Sequence, residues 1–171
     1  MSDLTDHVVI IGAMASGKTT VGKGIAERLG LAFVDSDVQI RGLTGSDGAR
    51  IAEEEGVPAL HEMELRAFWE ALESPHPTVI AAAASVIENE SVRAALTEVS
   101  CVWVDAADEL LRIRQALGAH RRELGEEEAS LLVRRDPLFS SCADVRIDTG
   151  EVDEHDAVSI AVDAITGRND G

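Results

Sequence analysis

The chain has 171 residues, of which 45% are hydrophobic and 27% are charged, a composition typical of one soluble globular domain. Its 32 acidic and 15 basic residues give a formal net charge of -17, which disfavours nucleic-acid phosphates and anionic membrane surfaces as partners. No apolar run approaches the about 18 residues that cross a membrane. The first residues also lack the basic segment and apolar stretch of a signal peptide, so we expect a cytoplasmic protein.

Short apolar runs alternate with longer helical patterns along the chain, which predicts an α/β fold with a mainly parallel sheet. The predicted strands span residues 8–11, 31–34, 78–82, 100–104 and 145–148. Helices are predicted at 17–29 and in a region over 37–74 that breaks near 45–48 and 56–58. Further helices are predicted at 92–97, with Ser91 as N-cap, at 108–117, in the segment that follows 128 and ends at about 135, and at 153–165. The charged segment at about 118–128 contains two glycines and is predicted to be a mobile surface segment.

Residues 12–19, Gly-Ala-Met-Ala-Ser-Gly-Lys-Thr, match the phosphate-binding motif G-x-x-x-x-G-K-[ST] in full, between a predicted buried strand and a predicted helix. The small residues allow successive backbone N–H groups to surround a polyphosphate, and the helix N-terminus adds positive potential there. Lys18 is placed to reach the β- and γ-phosphates, and Thr19 to offer a hydroxyl to Mg²⁺. The predicted nucleotide-binding residues of this segment are Gly12, Ala15, Ser16, Gly17, Lys18, Thr19 and Thr20.

Two aspartates, Asp35 and Asp37, follow the predicted second strand. Because ligands of an open parallel sheet bind at the carboxyl ends of its strands, these side chains are candidates for holding a metal-bound water, taking a proton from a hydroxyl, or binding substrate hydroxyls. Their position equally allows a structural role, in which Asp37 caps the following helix and Asp35 faces the loop. Both interpretations stay open on the residues alone.

Taken together, these segments resemble the shikimate kinases. The similarity is carried by the P-loop with Lys18-Thr19-Thr20-Val21-Gly22, by residues 33–37 (Phe-Val-Asp-Ser-Asp), and by later segments in the same order at 51–56, Glu64, 79–81, 92–96, 135–139 and 147–149. It therefore covers nearly the whole chain. The resemblance implies a three-layer P-loop kinase fold like that of nucleoside-monophosphate kinases, with a five-stranded parallel sheet flanked by helices and a short lid at about 118–128.

The resemblance also implies how the chain would use ATP and Mg²⁺ to phosphorylate a ring hydroxyl. Lys18, Asp35 and Arg121 would be catalytic, and Thr19 and Asp35 would lie at the metal. Arg121 would reach the ATP phosphates from the lid and stabilise the charge in transfer. Arg114 would stack on the adenine. The lid departs from the family pattern, because no proline follows Arg121 and the segment from 121 to 135 is several residues short.

Most other departures from the family pattern fall at the acceptor end. Asp37 would bind acceptor hydroxyls and Arg135 an acceptor carboxylate, but His61 stands where the family has a second arginine, and a neutral imidazole cannot form its bidentate contact. The family's three-glycine turn after the third strand is Ala-Ala-Ser at 83–85, which puts a Cβ where the ring should lie. The predicted substrate-binding residues are Asp37, His61, Ala84 and Arg135.

We therefore predict an ATP-dependent kinase, one domain over 1–171, that transfers the γ-phosphate to a hydroxyl of shikimate or of a related polyol or hydroxy acid. The acceptor end leaves two alternatives open: a nucleotide-binding pseudo-kinase without phosphotransfer, and a kinase for a sugar acid or a nucleoside monophosphate. We expect a monomer that binds its small-molecule acceptor and neither nucleic acid nor a membrane.

Overall fold

The five strands form one parallel sheet in the computed structural model, which describes residues 6–117 and 126–169. In chain order they are β1 (Val8–Ile11), β2 (Ala32–Asp35), β3 (Thr78–Ala81), β4 (Ser100–Asp105) and β5 (Val145–Asp148). Their order in space is β2-β3-β1-β4-β5, and every neighbouring pair is parallel. This confirms the predicted five-stranded parallel sheet, with each boundary within about one residue of its predicted place.

The described residues also form eight α-helices. They are α1 (Lys18–Leu29), α2 (Ser36–Thr44), α3 (Gly48–Glu54), α4 (Val57–Leu72), α5 (Glu90–Leu96), α6 (Asp108–Leu117), α7 (Glu126–Cys142) and α8 (Glu154–Asn169). A 3₁₀ helix (Ala84–Glu88) follows β3, and the sequence did not predict it. None of the helices in these ranges combines the length and apolar character needed to span a bilayer.

Alternate residues of β1 pack against helices on opposite faces of the sheet. Val8 and Ile10 belong to a first core with residues of α1 and α8, whereas Val9 and Ile11 belong to a second core with residues of α4, α7 and the 3₁₀ helix. All four side chains are buried, which explains why the strand is an uninterrupted apolar run. Helices therefore cover both faces, and the fold is the predicted three-layer α/β arrangement.

The end of α7 differs from the prediction, which stopped this helix near Arg135. The helix continues through Pro137 to Cys142. Proline normally ends a helix because it lacks a backbone N–H and clashes with the preceding turn. Here Phe139 and Cys142 are buried in the second core, and this packing stabilises the turn that follows the proline.

The N-caps of two helices differ from those predicted. Asp35, and not Asp37, caps α2, because its carboxylate accepts the backbone N–H of Asp37 at 2.9 Å. Asn89, and not Ser91, caps α5, and its side-chain oxygen accepts the N–H of Val92 at 3.1 Å. Asp35 and Asn89 both have extended backbone, which a residue needs to cap the helix that follows it.

Because the strands are parallel, their carboxyl ends meet at one edge of the sheet. β1 leads there into the glycine-containing loop 12–17, β2 ends at Asp35, and β3 leads into Ala82 and the 3₁₀ helix. The segment after β5 begins at Thr149 on the same edge. Open parallel sheets bind their ligands at this edge, so the fold brings the predicted site residues of separate segments together.

Candidate active site

The loop between β1 and α1 has the backbone conformation of a phosphate cradle. Gly12 and Gly17 have φ values of 143° and 109°, and a Cβ on Gly12 would lie 2.0 Å from the carbonyl oxygen of Val104. Ala15 has φ 64°, the one positive value at a non-glycine residue within the described ranges. Such a left-handed residue is strained by about 1–2 kcal/mol, and strain of this kind concentrates where backbone N–H groups converge on an anion.

Lys18, the first residue of α1, extends its ammonium group back over this loop. Its Nζ donates to the carbonyl oxygens of Gly12 and Ala13 at 2.9 and 2.8 Å. Burial lowers the pKa of Lys18 to about 8, while the carboxylates of Asp37 and Asp35 act in the opposite direction. The loop therefore presents one compact cation beside its backbone N–H groups.

The hydroxyl of Thr19 donates to Oδ2 of Asp35 at 2.6 Å and so joins the start of α1 to the end of β2. The other carboxylate oxygen of Asp35 caps α2 by accepting the N–H groups of Asp37 and Val38 at 2.9 and 3.3 Å. A hydroxyl oxygen beside a carboxylate oxygen is the ligand type that Mg²⁺ prefers. The residues predicted to hold the metal, Thr19 and Asp35, therefore fit such an ion.

Arg114 and Thr149 attach the loop to the β5 side of the sheet. Nη1 of Arg114 donates to the Ser16 carbonyl oxygen at 3.1 Å and to Oγ1 of Thr149 at 2.8 Å, and Nη2 donates to the Thr149 carbonyl oxygen at 3.2 Å. Stacking of Arg114 on an adenine stays a prediction. Thr149 was not predicted as a site residue, although its place directly after β5, at the ligand-binding edge, was a signal for it.

One continuous cavity of about 930 Å³ extends from this loop to α4 and the 3₁₀ helix. The predicted site residues that line it are Ala15, Gly17, Lys18, Thr19, Thr20, Asp35, Asp37, His61, Ala84, Arg114 and Arg135. Gly12 and Ser16 are buried in the loop itself. Arg121 lies outside the described residues, as does the predicted lid up to residue 125, and α7 begins at residue 126.

The acceptor end contains a pair of residues, Glu64 and Ser85, that the resemblance includes but that were not predicted as site residues. Glu64, on α4, is only 9% exposed and accepts a hydrogen bond from the hydroxyl of Ser85 in the 3₁₀ helix. Burial raises the pKa of Glu64, the Ser85 bond opposes this rise, and Asp37 adds to it. The available signal was the position of Glu64 four residues from both Leu60 and Phe68, on the inward face of α4.

The turn after β3 accommodates its alanines without backbone strain. Residues 82–85 all have negative φ, and Ala83 has φ -62° and ψ 146°. Ala83 and Ala84 pack against the second core and also line the cavity. The left-handed freedom of glycine is therefore not needed here, and the alanine methyl groups form part of the wall of the acceptor end.

Arg135 and His61 also line the acceptor end. Nε of Arg135 donates to Oε1 of Glu88 at 2.8 Å, and Nη2 of Arg134 donates to the same oxygen at 2.7 Å. Burial raises the pKa of Glu88, but the two guanidinium contacts outweigh it and the pKa is lowered, so Glu88 is anionic at neutral pH. Burial, followed by the charge of Arg135, lowers the pKa of His61, so its imidazole is neutral at pH 7.

Comparisons with known proteins agree with this geometry. A family model described as shikimate kinase matches residues 14–166. The chain is 34% identical to a shikimate kinase of Thermobifida fusca over 95% of this chain and 96% of the relative, and 30% identical to one of Symbiobacterium thermophilum over 96% and 98%. Its structure superposes with a TM-score of 0.87 on the shikimate kinase from Acinetobacter baumannii in complex with shikimate, at 27% identity and with 97% and 96% of the two chains covered. The chain therefore belongs to the shikimate kinase family and is a kinase, a phosphotransferase with an alcohol acceptor.

Proposed function

We propose that this chain transfers the γ-phosphate of ATP to a ring hydroxyl of shikimate or of a related polyol. The observation that carries the proposal is the single cavity in which the phosphate-binding loop and Lys18 share one space with Asp37 and Arg135. A nucleotide at the loop and a ring acceptor at the other end would meet beside Asp35. The Acinetobacter baumannii relative was solved with shikimate bound, which supports a ring acceptor of this class.

The chain's own residues would act by positioning the reactants and neutralising charge. Lys18 exchanges its two carbonyl contacts for phosphate oxygens and balances the charge that develops during transfer. Asp37 binds hydroxyls of the acceptor, and Asp35 lies near the hydroxyl that attacks. Arg114 keeps the loop in place through Ser16. Arg121 would add a second positive charge at the phosphates.

Mg²⁺ is the metal that we propose for this site, held by Thr19 and Asp35. The fit rests on the contact between the Thr19 hydroxyl and the Asp35 carboxylate, two hard oxygen ligands side by side next to the phosphate cradle. When bound, the ion neutralises phosphate charge and orients the phosphate chain. Asp35 keeps one oxygen for the cap of α2 whether or not the other binds the ion.

We also propose that residues 1–171 form one kinase domain that acts as a monomer in the cytoplasm, where its ATP is supplied. All five strands of the described ranges belong to one sheet, which supports a single domain. Light scattering checks the oligomeric state, since a monomer has a mass of 18.2 kDa. A mass twice as large would reject the monomer.

An assay of ADP release tests the proposed activity. The purified chain is given ATP, Mg²⁺ and in turn shikimate, cyclitols and sugar acids, and we expect shikimate or a related polyol to stimulate ADP release. Lys18→Ala should lower kcat/KM by at least about a hundredfold, because it removes the cation at the transferring phosphate. Lys23→Ala is the matched control, because Lys23 is the second of the two lysines and is exposed on α1. ADP binding without stimulated release by any acceptor would instead identify a pseudo-kinase.

A further inference from the structure

The acceptor end of the cavity carries more negative than positive charge. Asp37 and Glu64 line this end, and Glu88, which does not line the cavity, forms an ion pair with Arg135, which does. The second guanidinium on Glu88 belongs to Arg134, whose side chain is 61% exposed and does not line the cavity. Within the described ranges, Arg135 is the cation of this end, and Lys18, at the phosphate-binding loop, is the other lining cation on which Asp37 and Glu64 act. The carboxylates of Asp37, Glu64 and Glu88 outnumber these two cations.

The guanidinium of Arg135 is only partly available to bind a carboxylate on the acceptor. Its Nε is already engaged by Oε1 of Glu88 at 2.8 Å, and its side chain is only 12% exposed. A carboxylate on the acceptor would have to share this guanidinium with Glu88 and would lie in the field of Glu64 and Asp37. His61 adds no positive charge, because its imidazole is neutral at pH 7.

The acceptor end also presents several side chains that can form hydrogen bonds with hydroxyl groups. Asp37 offers carboxylate oxygens, and the imidazole of His61 offers one nitrogen that donates and one that accepts. Ser85 fixes the orientation of the Glu64 carboxyl group by donating to it from the 3₁₀ helix. In either protonation state Glu64 keeps an oxygen that can accept a hydroxyl hydrogen, and buried groups of this kind reject ligands that leave them unpaired.

We propose that the acceptor end is a hydroxyl-binding site, so that this kinase uses an uncharged ring polyol with a kcat/KM no more than about tenfold below that for the corresponding ring carboxylate. This rests on the proposed function and specifies its acceptor class. In the reaction, a ring hydroxyl oxygen bonds to the γ-phosphorus of ATP as the bond to the β–γ bridging oxygen breaks. The hydroxyl proton leaves to solvent past Asp35, and the products are ADP, the phosphorylated polyol and one proton.

A matched pair of acceptors tests this inference. The first is shikimate, and the second is the analogue in which a hydroxymethyl group replaces its carboxylate, so that ring and hydroxyls are unchanged. ADP release gives kcat/KM for each, and calorimetry in the presence of ADP gives each affinity without turnover. Comparable values for the two acceptors, or a preference for the uncharged one, are expected. A preference of more than about tenfold for the acid in both measurements overturns the inference.

His61→Arg provides the reverse test on the same pair. A guanidinium at this position adds a charge-assisted contact, so the preference should shift toward the acid by about tenfold to a hundredfold. His76→Arg adds the same charge at an exposed loop position and should leave the ratio unchanged. If a folded His61→Arg variant has the same preference between the two acceptors as the wild type, the hydroxyl-binding inference is contradicted. If the variant does not fold, the wild-type affinities for the two acceptors decide whether the inference holds.

Ser85 is the positioning residue of this site, because it acts through Glu64. Ser85→Ala should raise the KM for the uncharged acceptor by about threefold to tenfold, the loss of one hydrogen bond, with the KM for ATP unchanged and with rescue by Ser85→Thr. Equal effects on both KM values would show a merely structural role and reject this assignment. Turnover of the acid alone overturns only the hydroxyl-binding inference, whereas ADP binding with no turnover of this pair or of any other acceptor in the panel overturns the proposed function itself.

Discussion

Thr149, the first residue after β5, donates its hydroxyl hydrogen to the carbonyl oxygen of Ser16 in the phosphate-binding loop at 2.7 Å. The same hydroxyl oxygen accepts a hydrogen bond from Nη1 of Arg114 at 2.8 Å, and Nη1 of Arg114 also donates to the Ser16 carbonyl oxygen. The loop is thereby attached to the edge of the sheet opposite β2. Holding the loop in its binding conformation before the nucleotide arrives lowers the entropic cost of binding.

Replacing this hydroxyl should weaken ATP binding with little effect on the chemical step. Thr149→Val keeps the shape of the side chain but removes the hydrogen bond to Ser16, and the KM for ATP should rise by about threefold to tenfold. Initial rates at saturating acceptor measure this, and kcat should stay near that of the wild type. Thr149→Ser retains the hydroxyl and is the control. A Val variant with unchanged KM for ATP would show that Arg114 alone is sufficient to hold the loop.

The pKa of Lys18 predicts a loss of ATP use at alkaline pH. Burial lowers this pKa to about 8, so in the free enzyme the ammonium is charged below that pH and neutral above it. The neutral amine cannot neutralise phosphate, so kcat/KM for ATP, which reports the free enzyme, should fall above about pH 8. Rates measured from about pH 7 to 10 show the effect, with a limiting decrease of about tenfold per pH unit.

The composition makes this pH profile easier to interpret. The chain has no tyrosine, so few other groups titrate in the alkaline range. Lys18→Arg keeps a charge at every pH of the assay and should remove the alkaline decrease, while Lys23→Ala should retain it. A wild-type profile that stays flat to about pH 10 would contradict the lowered pKa.

Some parts of the fold and site were predictable because the residues that decide them are close in sequence. β1 is buried on both faces and is therefore a continuous apolar run, and the loop 12–19 carries its glycines, Lys18 and Thr19 in one motif. Asp35 and Asp37 were predicted as site residues because they follow a strand directly. The structural interpretation of these two residues was wrong about the cap of α2, because it assigned the cap to Asp37 and the structure has it at Asp35.

Other parts depend on contacts between distant segments. Ser85 and Glu64 are 21 residues apart, and their hydrogen bond exists only because α4 and the 3₁₀ helix pack together. The continuation of α7 past Pro137 likewise depends on the burial of Phe139, a tertiary contact that outweighs the local preference of proline. Local patterns carry no information about such partners.

Asp35 combines two roles, and a pair of substitutions should separate them. Asp35→Asn keeps a good N-cap for α2 but loses the carboxylate charge beside Thr19, so kcat should fall by about a hundredfold or more while the melting temperature stays close to that of the wild type. Asp35→Ala loses the cap as well and should melt about 2–4 °C lower. Rates and thermal melts of both variants test this. A fully active Asn variant would exclude the charge of Asp35 from the reaction.

Two helical glycines should respond in opposite directions to alanine. A Cβ on Gly24, in α1, would lie 2.5 Å from Cγ2 of Val158 in α8, whereas a Cβ on Gly42, in α2, would meet nothing within 4 Å. Gly42→Ala should stabilise the chain by about 0.5–1 kcal/mol, because alanine loses less backbone entropy in a helix. Gly24→Ala should destabilise it, since overpacking costs about 1–3 kcal/mol and exceeds that gain.

Denaturant unfolding of these variants measures both effects, and a double-mutant cycle identifies the cause of the second. In a Val158→Ala background the Cγ2 atom is absent, so Gly24→Ala should become neutral or stabilising there. If Gly24→Ala destabilises equally in both backgrounds, the contact between α1 and α8 is not what requires glycine at this position. The close approach of these two helices fixes the position of α1, and with it the orientation of Lys18 toward the phosphate-binding loop.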